Sequence, residues 1–204
     1  MTDDNIIRPI FSVGISTFGL TDIDNEPLVE YSKKTTHRNK VKEKKDILSN
    51  PIFADLNKFI EDRMNDYYAG IYKEEPSRIK LTEAWSNVGT DELITMPHSH
   101  PSFVSAVYYP HATEGDIVFF NPAYSVIAST CARSSNKVTS YNSEFFSFPS
   151  RTGNLIVFPS KLLHMAQCSG NERISLSYNG SPILQEPTLP PSNTKKSYLK
   201  IKKN

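Results

Sequence analysis

Pro97-His98-Ser99-His100-Pro101 sets two imidazoles two residues apart, and His164 follows later on an apolar run. Arg173 comes shortly after it. In extended chain, residues i and i+2 share a face, so His98 and His100 can turn both rings toward one point. Imidazole suits Fe, Zn, Cu and Ni. A third ring from His164 would complete one face of a coordination sphere and leave positions open for substrate. An arginine beyond it can hold a carboxylate, because the planar guanidinium fork matches the two carboxylate oxygens. Arg173 opens a run in which Arg173, Ser175, Ser177 and Asn179 alternate with Ile174, Leu176 and Tyr178. One face of that strand is polar and the other apolar. Either the polar face is a wet exterior, or it lines an interior while the apolar face packs outward beneath a helix.

The elements that position these residues begin at Asn50-Pro51. Asn50 can cap a helix and Pro51 fits its first position. Phe53, Leu56, Ile60, Met64 and Tyr67 recur at three- and four-residue steps, which predicts one apolar stripe, and Gly70 is the expected stop. After Gly70 the period becomes two. Strands are expected at 78–88, 103–109, 116–120, 124–128, 154–158, 162–166 and 173–178, the last ending at Asn179-Gly180. The apolar run Ile6 to Val13 is a further edge-strand candidate. Many short strands separated by turn residues suggest a sandwich or barrel, with one helix covering an outer face.

The chain has 204 residues, enough for one domain with a real core. We expect a single domain over 1–180, its core at 50–180, followed by a Pro/Lys-rich tail at 181–204. The formal net charge of +1 gives no global signal for nucleic acid or an acidic membrane. The basic stretch Lys33 to Lys45 lacks interleaved aromatics and reads as a solvated loop or frayed helix. No apolar run reaches the roughly 20 residues of a membrane helix, and the polar N-terminus is no signal peptide. Cys131 and Cys168 form no pattern and read as reduced thiols of a cytoplasmic protein. His37 and His111 read as ordinary surface or core residues.

Several motifs together resemble the 2-oxoglutarate- and iron(II)-dependent oxygenases of the double-stranded β-helix fold. The closest likeness is to a group of small oxygenases of bacteria and phages. The residues that carry it are Glu83-Ala-Trp85-Ser-Asn87, His98-Ser-His100-Pro101, Ser105-Ala-Val-Tyr-Tyr109 and Gly115-Asp116 through Pro122. Gly153-Asn-Leu-Ile-Val-Phe-Pro159-Ser160, Leu163-His164 and Arg173-Ile-Ser175-Leu-Ser-Tyr-Asn179 complete it, so the likeness spans roughly 50–180. The resemblance implies an α+β fold: a double-stranded β-helix, that is, a jelly-roll or cupin-like barrel, with a supporting N-terminal helix. It implies Fe(II) at His98, His100 and His164, with 2-oxoglutarate as cosubstrate held by Arg173 and Ser175. It also implies a tyrosine beside the cosubstrate. Tyr108 and Tyr109 must point opposite ways, and we place Tyr108 inside. Asn87 and Trp85 share a strand face, and Asn87 joins the expected cosubstrate residues.

The sequence departs from the wider family at His100, where a carboxylate is usual. Asp91, Glu92 and Glu114 are alternative anionic ligands. The expected function is a hydroxylase whose partners are 2-oxoglutarate, O₂ and a prime substrate that the residues do not name. A homodimer is compatible with the sequence, as is a location in the cytoplasm of a phage-infected host. Two other functions fit the same residues. One is a non-catalytic, metal-binding barrel that serves as an interaction protein. The other is a cupin-type metalloenzyme that does not use 2-oxoglutarate.

Overall fold

The computed structural model describes residues 12–35, 46–72, 78–89, 95–128, 139, 141–167 and 172–183. In chain order the elements are β1 (Ser16–Gly19), α1 (Glu26–Thr35), α2 (Asp46–Ser49), a 3-10 turn (Pro51–Phe53) and α3 (Ala54–Tyr72). They continue with β2 (Ile79–Gly89), β3 (Val104–His111), β4 (Asp116–Phe120), α4 (Tyr124–Ala128), β5 (Phe145–Pro149), β6 (Asn154–Pro159), β7 (His164–Gln167) and β8 (Arg173–Pro182). All strand pairings among the described residues are antiparallel. A five-stranded sheet runs β1-β6-β3-β8-β2 and a three-stranded sheet runs β5-β4-β7. The fold is a double-stranded β-helix whose two sheets face each other without closing into a continuous barrel.

The helices form a third layer. Asn50 caps as expected: its backbone is extended and its side-chain oxygen accepts from the Ile52 N–H at 3.2 Å. Phe53, Leu56, Ile60, Met64 and Tyr67 are buried. They meet Ala84 of β2, Ala106 and Tyr108 of β3, and Leu176 and Tyr178 of β8. The apolar face of β8 therefore lies beneath the helices. Its other face, with Arg173, Ser175, Ser177 and Asn179, turns to the space between the sheets, the second of the two arrangements open from sequence. Truncating Ile60 to Ala would remove fully buried methyls at about 2–5 kcal/mol. A second apolar cluster fills the gap between the sheets, with Val107, Tyr109, Ile156 and Phe158 meeting Ile117 and Phe119.

Several elements differ from the sequence reading. Gly70 does not stop α3, which runs on to Tyr72. Residues 124–128 are helical rather than extended. Asn121 starts that turn: its carbonyl accepts from the Tyr124 N–H and its side chain from the Ala123 N–H. β8 passes through Asn179-Gly180 to Pro182. Gly180 is inside the strand because a Cβ there would meet Met64 Sδ and Ile79 Cγ2, each at 2.8 Å, so the glycine lets α3 approach the sheet. β1, α1, α2 and β5 were not foreseen, and the outer layer contains more than one helix. Residues 12 and 13 lie outside any strand. Residues 6–11, His37, most of the 33–45 basic segment, Asp91, Glu92, both cysteines and residues 184–204 lie outside the described residues. No helix among the described residues is long and apolar enough to cross a membrane.

Candidate metal centre

His98 and His164 are joined by an isolated antiparallel bridge. Each backbone N–H donates to the other's carbonyl at 2.9 Å. His164 opens β7, and its ring packs against those of Phe119 and Phe158. His100 belongs to no strand; its N–H donates to the Ser160 carbonyl at 2.8 Å. From these three backbone anchors the rings converge. One ligand nitrogen from each of His98, His100 and His164 lies within 4.8 Å of the others. His100 Nε2 and His164 Nε2 are 3.2 Å apart. Two imidazoles bound about 2.1 Å from one metal would stand ~3.0 Å apart at a right angle and ~3.4 Å apart in a tetrahedron. The observed separation falls inside that range.

The hydrogen bonds also set the tautomers. His98 Nδ1 faces the Met96 carbonyl and His164 Nδ1 faces the Leu162 carbonyl, each at 2.8 Å. A carbonyl only accepts, so both Nδ1 atoms carry the proton. In the neutral rings the Nε2 lone pairs are then free for a metal, the usual arrangement behind a ligating histidine. Burial pushes the His164 pKa down to about 4. The Leu162 carbonyl raises it in part, and the neighbouring His98 and His100 lower it further. His164 is therefore neutral at any ordinary working pH, the form that could ligate a metal. No carboxylate joins this cluster among the described residues, and Glu114 lies elsewhere, at the turn into β4. The donor set fits a borderline divalent ion and supplies no negative charge.

Arg173 stands at the start of β8, only 8 % exposed. Its Nη1 donates to the Asp116 and Gln167 carbonyls and to the Ser150 hydroxyl, at 3.2, 3.2 and 3.3 Å. All three acceptors are neutral, and Arg173 has no ion-pair partner among the described residues. A buried cation without a counterion is costly, so the site asks for an anion. Its guanidinium carbon lies 5.5 Å from the centre of the Tyr109 ring. The Tyr109 hydroxyl is buried and makes no hydrogen bond among the described residues. Burial raises its pKa, and Arg173 partly offsets this; the Ser150 hydroxyl lies close enough to help without bonding geometry.

The structure brings His98, His100 and His164 together and sets Ser175 on the same strand face as Arg173. Ser175 is buried and pairs with Asn87 across β2 and β8. Asn87 Nδ2 reaches Ser177 Oγ at 3.3 Å. Tyr108 must be corrected. It belongs to the helix-side cluster, where its hydroxyl donates to Asn25 Oδ1 at 2.7 Å. Tyr109 is the inward tyrosine. The alternation with Ser105 and Val107 would have chosen it, had the inward face of β3 been known. Trp85, on the strand face of Asn87, has its ring centre 5.3 Å from that of His100.

Residues 83–179 match the protein family described as "Putative 2OG-Fe(II) oxygenase". The match covers a little under half of the chain. No curated protein matches it by sequence. Solved structures share the oxygenase fold at low identity. HygX from Streptomyces hygroscopicus, solved with nickel and 2-oxoglutarate, is similar at 13% identity and a TM-score of 0.57 over 83% of each chain. The α-ketoglutarate-dependent epimerase SnoN from nogalamycin biosynthesis is similar at 10% and 0.57, over 83% of this chain and 78% of its own. A Pseudomonas putida prolyl-4-hydroxylase is similar at 13% and 0.53, over 84% and 89%.

Proposed function

We propose that this protein is an iron(II)-dependent oxygenase, a hydroxylase that couples conversion of 2-oxoglutarate to succinate and CO₂ with insertion of one oxygen atom from O₂ into its prime substrate. The observation that carries the reading is Arg173, a buried cation faced by neutral acceptors in the same inter-sheet space as three convergent imidazoles. His98, His100 and His164 would hold iron, which supplies the redox chemistry when bound. The Leu162 and Met96 carbonyls keep two of the rings in the ligating tautomer. Arg173 takes the distal carboxylate of 2-oxoglutarate through its guanidinium fork, and the Tyr109 hydroxyl and Ser175 supply further hydrogen bonds. Phe119 and Phe158 keep water from the inner side of His164. Asn87 orients Ser177 next to this pocket.

The test is conversion of 2-oxoglutarate to succinate by the full chain with Fe(II) and O₂. Turnover that needs all three components supports the reading. The all-imidazole donor set also favours a second one, a metal-binding barrel without turnover. That barrel would bind iron yet form no succinate.

A further inference from the structure

A chain of polar side chains crosses the inner face of the five-stranded sheet at the level of His100. Ser160 follows β6, Ser105 is on β3, Asn179 on β8 and Glu83 on β2, so successive members sit on successive strands. Ser105 Oγ lies 2.8 Å from both Ser160 Oγ and Asn179 Oδ1. Asn179 Nδ2 donates to Glu83 Oε2 at 2.8 Å. Donor bookkeeping fixes the direction. Asn179 Oδ1 can only accept, so it takes the one Ser105 proton, and Ser160 must then donate to Ser105. The amide orientation follows from its carboxylate partner, because Glu83 accepts only from the NH₂ end. Ser105, Ser160 and Asn179 are each at most 2 % exposed. Satisfied buried polar networks of this kind are stiff, since any shift leaves a polar group unpaired.

Both ends of this ladder lead to His100. The carbonyl of Ser160 receives the His100 backbone N–H, while the Ser160 N–H is tied to the Phe103 carbonyl at 3.2 Å. At the other end Trp85, on the same face of β2 as Glu83, lies against the His100 ring. His98 and His164 do not depend on this ladder, because their mutual bridge holds them. His100 lies outside the named strands, and the Ser160 turn and Trp85 both hold it.

We infer that Ser105, Ser160 and Asn179 are positioning residues for His100, the third imidazole of the proposed metal site. This rests on the reading of His100 as a metal ligand. Outer hydrogen-bond partners of metal ligands commonly change metal affinity about 10- to 100-fold.

The experiment is Co(II) titration of the full chain, followed by visible absorption, for the parent, Ser105→Ala, His100→Ala and the double variant. Ser105→Ala should weaken Co(II) binding about tenfold and shift the cobalt d–d bands. In the His100→Ala background the same change should have less than about a twofold effect, because the ladder then has no ligand to position. Ser105→Thr, which keeps the hydroxyl, should restore the parent affinity and spectrum. If Ser105→Ala does not fold, Asn179→Ala replaces it in the same cycle. Equal loss in both backgrounds, or no loss in either, overturns the positioning role. A different result sinks the underlying reading: His100→Ala binding Co(II) as tightly as the parent would mean that His100 is no ligand.

Discussion

Arg173→Lys isolates the proposed cosubstrate contact. The variant keeps a cation and N–H donors for the Asp116, Gln167 and Ser150 acceptors, so the fold should survive. It loses the planar fork, which a carboxylate engages through two parallel bonds. In the parent all three internal bonds use Nη1, so among the described residues Nη2 and Nε remain for a ligand. Converting a two-bond, charge-assisted contact to a point-charge contact in a site this buried is worth about 1.5–3 kcal/mol, or roughly ten- to hundredfold in affinity. The assay is anaerobic calorimetric titration of the metal-loaded protein with 2-oxoglutarate, beside a thermal melt of the metal-free protein. The expected result is a dissociation constant raised by that factor and a melting temperature within a few degrees of the parent. An unchanged dissociation constant would refute the argument and assign Arg173 to structure alone.

Tyr109→Phe should weaken 2-oxoglutarate binding by about 1 kcal/mol while leaving the melting temperature equal or higher, because it removes a buried unpaired hydroxyl. Tyr108→Phe should do the opposite: it breaks the bond to Asn25 Oδ1, costs about 1 kcal/mol of stability in a melt and spares cosubstrate binding. Acidification should destabilise the metal-free protein. Its His164 titrates near 4, below the ordinary histidine value, so between those limits the unfolded chain binds more protons. Stability is full above pH ~6.5 and falls toward pH 4, by at most about 3 kcal/mol, and His164→Gln should flatten the dependence of urea midpoint on pH. Gly180→Ala should cost stability measurably in denaturant melts, since its Cβ would press on Met64 and Ile79.

The helix stripe, most strands and the histidine set were legible because they rest on local signals: a cap, a period and an i, i+2 spacing. The polarity of β8 was legible too, yet two orientations satisfied it. Only the position of α3 over Leu176 and Tyr178 chose between them. Tyr108 failed for the same reason, because alternation says that neighbours oppose each other but not which one faces in. Residues 124–128 carry β-branched side chains, and the Asn121 cap outweighed them over so short a span. β5 is an exposed edge strand whose phenylalanines follow no clean alternation. The ladder behind His100 could not be read at all, since its members are far apart in sequence and meet only through strand register.

The central claim is that three histidines and Arg173 make one site for iron and 2-oxoglutarate. The most direct measurement is an anaerobic spectroscopic titration of the Fe(II) protein with 2-oxoglutarate, run beside His164→Ala and Arg173→Lys. The account predicts a visible metal-to-ligand charge-transfer band that saturates at one equivalent in the parent. That band should be absent in His164→Ala and should need higher 2-oxoglutarate in Arg173→Lys. No band in a parent that holds stoichiometric Fe(II), or an undiminished band in His164→Ala, would contradict it.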